Sequence, residues 1–168
     1  MIPAARRSLI VLGLSFTLVG VSLAQKPAAS PTSAEIDAQV WKPIAASVVN
    51  DDIVAMAKAY HPTAVVVTNA GTKLASQALD GWGKDMVVAK KNGVHATVEL
   101  RFTKRQDDAT TAFESGAFKY SSTDKAGKVT TGYTRMEALL VKTNGRWQTL
   151  MEHQMNPITE AEWNQLPH

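Results

Sequence analysis

A chain of 168 residues, 45 % hydrophobic and 20 % charged, is long enough for one domain with a substantial core. It contains no cysteine, which excludes disulfides, thiol catalysis and thiolate metal sites, so any fold must rest on its core. The formal charge of +3 is no nucleic-acid signature, because two of the 18 basic residues, Arg6 and Arg7, fall in a segment expected to be removed.

That segment is residues 1–24. Arg6 and Arg7 make a positive start, Leu9 to Val21 is an apolar run too short to span a bilayer comfortably, and Ser22-Leu23-Ala24 places small residues where a signal peptidase reads. The pattern predicts a signal peptide cleaved near Ala24-Gln25, and a protein exported to the periplasm or secreted, with no membrane attachment afterwards. An uncleaved anchor is the alternative. Gln25 to Ser33 is polar and Pro-rich and predicts a disordered linker, which leaves 34–168 as a single domain.

Thr32 to Glu35 has capping-box spacing, with Ser33 as an alternative N-cap, so a helix is expected from about Ala34. Ile36, Val40, Trp41, Ile44 and Val48 recur at helical spacing, and Pro43 must kink or restart the helix. Asn50-Asp51-Asp52 caps a short second helix with Ile53, Met56 and Tyr60 on one face. His61-Pro62 ends it, and Ala64 to Thr68 is a strand followed by a turn at Asn69-Ala70-Gly71. Ser76 to Lys91 predicts a third helix with Leu79, Trp82, Met86 and Val87 apolar. From Val94 onwards the pattern is β: an alternating strand to Lys104, another from Thr110 to Ser121, and a long hairpin from Lys128 to Met155. Thr159 to Glu162 is a second capping box, opening a helix with Trp163 and Leu166. Helices segregated from antiparallel strands mean α+β.

Asn144-Gly145 between strand-forming runs is the strongest of these local signals, since both residues take the positive φ of a type I′ turn cheaply. A two-residue turn sets the register: Thr143 faces Arg146, and by strict counting Glu137 faces Glu152, Met136 faces His153 and Arg135 faces Gln154. Alternation then puts Met136, Ala138, Leu140, Trp147, Met151 and His153 on one face. It puts Arg135, Glu137, Leu139, Leu150, Glu152 and Gln154 on the other.

Several local strings resemble the nuclear-transport-factor-2-like superfamily, which includes ketosteroid isomerase and the SnoaL-like cyclases. They are Asn50-Asp51-Asp52, Tyr60-His61-Pro62-Thr63-Ala64-Val65, Ala112-Phe113-Glu114-Ser115-Gly116 and Asn144-Gly145-Arg146-Trp147, in that order. The resemblance spans roughly residues 35–155. It implies a cone-like curved antiparallel sheet with helices on its concave face, a pocket between them, and a homodimer through the outer face. The isomerase base position falls at Thr68 or Asn69, neither of which can take a proton from carbon, so that mechanism is not carried over.

Two readings of function follow. One is a binding domain for a small apolar ligand, its pocket formed by Tyr60, Trp82, Arg135, Leu139, Leu150 and Gln154. The other is an isomerase, dehydratase or cyclase acting on a small carbonyl compound through the facing carboxylates Glu137 and Glu152. An Arg135-bridged structural cluster is the plainer account of that pair. On the apolar face, Met136, Leu140, Trp147, Met151 and His153 are the expected dimer interface. The four histidines have no metal-ligand spacing, and there is no Gly-rich phosphate loop or nucleophile elbow, so neither metal nor cofactor is expected.

Overall fold

The computed structural model describes residues 30–167. The expected signal peptide, and the expected linker up to residue 29, lie outside them. The first helix begins earlier than the sequence suggests. Ser30 is its N-cap, accepting from the Ser33 N–H at 2.9 Å, and Pro31 takes the first turn, where a missing N–H costs nothing. Helix α1 (Pro31–Ile36) runs through a π-helical turn (Asp37–Trp41) into α2 (Lys42–Asn50). Pro43 has no N–H to give. The spacing widens just before it, with the Lys42 N–H on the Asp37 carbonyl, and the α-helix restarts around the proline. Asp51 ends the run in the left-handed conformation at φ 53°, and Asp52 caps α3 (Ile53–Ala57) through the Ala55 N–H.

Strands β1 (Tyr60–Thr68) and β2 (Gly71–Leu74), helix α4 (Ala75–Lys91), strands β3 (His95–Asp107), β4 (Thr111–Thr123), β5 (Val129–Thr143) and β6 (Arg146–Pro157), and helix α5 (Glu160–Asn164) complete the chain. The architecture is α+β, with one open six-stranded sheet in the order β2-β1-β6-β5-β4-β3. It is mixed rather than wholly antiparallel, because β1 runs parallel to β6. Strand β2, four exposed residues at the sheet edge, carries no alternation and escapes the sequence pattern. Strand β1 starts at Tyr60, not Ala64. Its pairing with β6 is irregular between Tyr60 and Val65, which accommodates Pro62.

Two β-bulges decide which side chains point where. The hairpin starts as expected, with Asn144 and Gly145 at positive φ and Thr143 opposite Arg146. Between the pairs Leu140–Thr149 and Leu139–Met151 the register slips by one, leaving Leu150 as the extra residue. From Met151 to Gln154 the residues of β6 change face, and a further slip follows between the pairs Met136–Gln154 and Thr134–Pro157. Glu137 therefore sits opposite His153, and Glu152 opposite Ala138, so the expected pairing of Glu137 with Glu152 does not occur. A second slip, on β3 between Phe102 and Lys104, brings Arg105 opposite Glu114. Gly116 opposes Phe102 beside it. A Cβ there would lie 2.0 Å from the Arg101 carbonyl oxygen, so only glycine fits.

The helices pack on the face bearing Met136, Ala138, Leu140 and Trp147, none of them more than 2 % exposed, together with Ile36, Val40, Trp41 and Ile44. This overturns the expected dimer interface: Met136, Leu140 and Trp147 are core. Met151 and His153 part from them at the bulge and lie with Glu137 and Leu139 on the outer face. There, one end is covered by α5, whose expected Thr159–Glu162 capping box forms. Trp163 is buried against Tyr133, and the Arg101 guanidinium lies 4.3 Å from its ring centre.

Candidate functional site

A cavity of about 480 Å³ lies between the concave face and the helices. That is within the range of small-molecule sites. From the helical side, Trp41 of the π-turn, Ile44 and Val48 of α2, Met56 of α3, and Trp82, Met86 and Ala89 of α4 line it. From the sheet come Val98, Leu100, Phe118 and Met136. Trp82, Asp85, Met86 and Ala89 recur at i, i+3, i+4 and i+7, one face of α4, which is why an acid shares the apolar wall.

The polar floor comes from three residues distant in sequence. The Tyr60 hydroxyl donates to Glu152 Oε2 at 2.5 Å, and Gln154 Nε2 donates to Glu152 Oε1 at 2.7 Å. Tyr60 and Glu152 are each 6 % exposed. Burial first, and then the negative charge and hydrogen bond of Glu152, hold the Tyr60 hydroxyl well above its ordinary range, so it remains a neutral donor. The Leu150 bulge makes this floor: without it, Glu152 and Gln154 point away from the helices. At the outer rim, Asp51, Asp85 and Tyr120 line the opening. Burial, then the charges of Asp51 and Asp85, raise the Tyr120 hydroxyl above its usual range.

A second buried network supports the cavity wall from behind and reaches it only through Trp41. Glu114, 1 % exposed, accepts from Trp41 Nε1 at 2.5 Å and from Arg105 Nε at 2.7 Å. Arg105 also binds Asp37 at 2.7 Å and lies over Phe102, whose ring contacts Trp41. Burial raises the Glu114 pKa, against the pull of Arg105 and Trp41. This cluster ties the π-turn to β3 and β4 and fixes the Trp41 ring at the cavity wall.

The structure therefore brings Tyr60, Trp82, Glu152 and Gln154 to one cavity and leaves Arg135, Leu139 and Leu150 outside it. Glu137 is also outside, with His153 Nδ1 3.7 Å from its Oε2 on the opposite side of the sheet. Arg135 pairs with Glu162 rather than bridging two glutamates. Asp51, Asp85, Met86 and Tyr120 were not singled out as cavity residues by the sequence. The acid at position 85 within an apolar helical stripe was the available signal. Among the described residues no three histidine or acidic side chains group as a metal site, and no helix is long and apolar enough to cross a membrane.

No family model matches the sequence, and comparison with curated proteins gives no match. Solved structures do match. A conserved protein from Planctomyces limnophilus superposes with a TM-score of 0.64 at 13 % identity, over 76 % of this chain and 98 % of that one. A nuclear-transport-factor-2-like superfamily protein from Salmonella enterica gives 0.60 at 14 %, over 78 % and 96 %. A ketosteroid isomerase-like protein from Erwinia carotovora gives 0.53 at 23 %, over 75 % and 95 %. The chain has the nuclear-transport-factor-2-like fold. At these identities the likeness speaks of architecture and leaves function to be argued from the cavity.

Proposed function

We propose that the protein is an exported binding domain for a small apolar ligand held between the concave face and the helices. The observation that carries the binding reading is the cavity itself: about 480 Å³, walled by tryptophan, methionine and phenylalanine, with one hydrogen-bonded polar floor. Turnover is the weaker reading. The second carboxylate proposed to act beside Glu152 was Glu137, which lies across the sheet, and both Glu152 oxygens already accept hydrogen bonds from the protein.

A neutral aromatic probe tests the binding reading. 1-Naphthol should bind saturably and shift the Trp82 indole and Met86 methyl resonances. Ala89→Phe, which fills the cavity from α4, should abolish those shifts while the protein stays folded. Absence of saturable binding, or binding indifferent to Ala89→Phe, overturns the proposal.

Export rests on the sequence of residues 1–24, and an N-terminus near Gln25 in the exported protein is its check. Self-association through the outer face is supported by Val65, Val67, Leu139 and Met151, which are half-buried and lie beside one another across β1, β6 and β5. Sedimentation velocity should give a dimer, and Met151→Glu a monomer.

A further inference from the structure

The charge of the cavity narrows its ligand. Among the described residues lining it there is no lysine, arginine or histidine, while three carboxylates line it: Glu152 on the floor, Asp51 and Asp85 at the rim. The remaining polar groups are all neutral. Gln154 turns one N–H to Glu152 and keeps its amide oxygen as an acceptor, the Tyr60 hydroxyl is spent as a donor to Glu152, and the hydroxyls of Tyr120 and Ser122 complete the polar lining. The two arginines described above are committed elsewhere, Arg105 to Glu114 and Asp37, and Arg101 to Glu99 and the Trp163 carbonyl.

Aromatic rings stand beside the acids. Tyr60 and Trp82 form a corner, ring centres 6.3 Å apart and planes inclined at 54°, with Tyr60 bonded directly to Glu152. Aromatic faces next to a desolvated carboxylate, here Glu152, are the two features that attract an organic cation. An anionic ligand would enter against three carboxylates with no cation among the described lining residues to meet it. A neutral ligand of the same shape would fill the apolar part of the cavity but gain nothing from the carboxylates, and so would bind more weakly.

We propose that the cavity takes an organic cation, an amine or quaternary ammonium carried on an apolar body, with the cationic head between the Tyr60–Trp82 corner and the Glu152–Gln154 floor. This rests on the binding reading above and specifies its ligand class. The head group would be recognised by charge and ring faces, and the body by the methionines and aliphatic side chains of α2 and α4.

Two probes of the same shape separate charge from size: benzyltrimethylammonium and neopentylbenzene, which differ by a quaternary nitrogen in place of a carbon. Titration calorimetry, or chemical shifts of the Trp82 indole, should show the ammonium binding at least tenfold more tightly, and more weakly as salt rises. Glu152→Gln should remove most of that preference and leave neopentylbenzene binding unchanged. Because Glu152 is buried, Asp51→Asn combined with Asp85→Asn gives a second test that spares the floor. Asparagine suits the left-handed backbone at position 51, and this variant should lower ammonium affinity several-fold. Equal or tighter binding of the neutral probe overturns the cation inference while supporting an apolar binding site. Failure of both probes overturns the binding reading as well. An ammonium preference that survives both variants places the cation elsewhere and refutes this site.

Discussion

Substituting Gly116 by alanine tests the bulged register at its tightest point. The added methyl would lie 2.0 Å from the Arg101 carbonyl oxygen, 2.8 Å from the Phe102 Cα and 2.9 Å from the Arg101 carbonyl carbon. All three are backbone atoms, so no rotamer change relieves the contact, and restoring ordinary separation needs β3 and β4 to part by roughly 1 Å or more. Parting there loosens the pairs Arg101–Ala117 and Phe102–Gly116 and moves Arg105 away from Glu114. Overpacking alone costs about 1–3 kcal/mol. Disturbing the buried Arg105–Glu114 network adds to that, for an expected loss of about 3–5 kcal/mol. Against a total stability of about 5–15 kcal/mol, this is a variant close to unfolding. Gly132→Ala on β5 is the control, since nothing lies within 4 Å of its added methyl. It should be neutral, or stabilising by up to about 1 kcal/mol. Urea unfolding followed by tryptophan fluorescence measures both. A Gly116→Ala loss below about 1 kcal/mol with an unchanged m-value would refute the close approach of the two strands.

Tyr60→Phe removes a donor from a buried carboxylate and should cost about 1.5–3 kcal/mol in urea unfolding; a neutral result would mean that Glu152 does not depend on Tyr60. Thr149→Val replaces a fully buried hydroxyl that has no hydrogen-bond partner among the described residues, and should raise stability by about 1 kcal/mol, whereas a loss would reveal a hidden partner. Glu137→Gln, on the half-exposed outer face, should change stability by less than about 0.5 kcal/mol between pH 5 and 8; a gain confined to pH 8 would restore the facing glutamates. Asp108 accepts from the Thr110 and Thr111 N–H groups and the Thr111 hydroxyl, which lower its pKa to about 2. Its folded value lies below the unfolded one, so its contribution is present above about pH 4 and is lost as the pH falls towards 2. The stability gap between the unmutated protein and Asp108→Ala should therefore shrink over that window. A gap that stays constant from pH 5 to pH 2 counts against the turn.

Local chemistry was legible in the sequence wherever it depended on near neighbours. Asn144-Gly145 fixed a turn and the first hairpin pair, because positive φ at both positions is cheap only for such residues. The Thr159–Glu162 box announced α5, and the stripe of Leu79, Trp82 and Met86 announced α4. The order of helices and strands was enough to expect an α+β sheet with helices on one face.

The site was decided by tertiary structure. Strict alternation carried Glu152 to the side of Glu137, and one extra residue at Leu150 reversed it, so the expected carboxylate pair became a single buried acid held by Tyr60 and Gln154. A bulge changes one residue of pairing, leaves no mark in a period-two pattern, and flips every side chain beyond it. The same slip on β3 turned Arg105 towards Glu114. Which face the helices cover was equally unreadable, since both faces of the hairpin are part apolar. Trp147, Leu140 and Met136 went to the core because Ile36, Val40 and Trp41 pack there, and an amphipathic strand alone cannot say which layer it will meet.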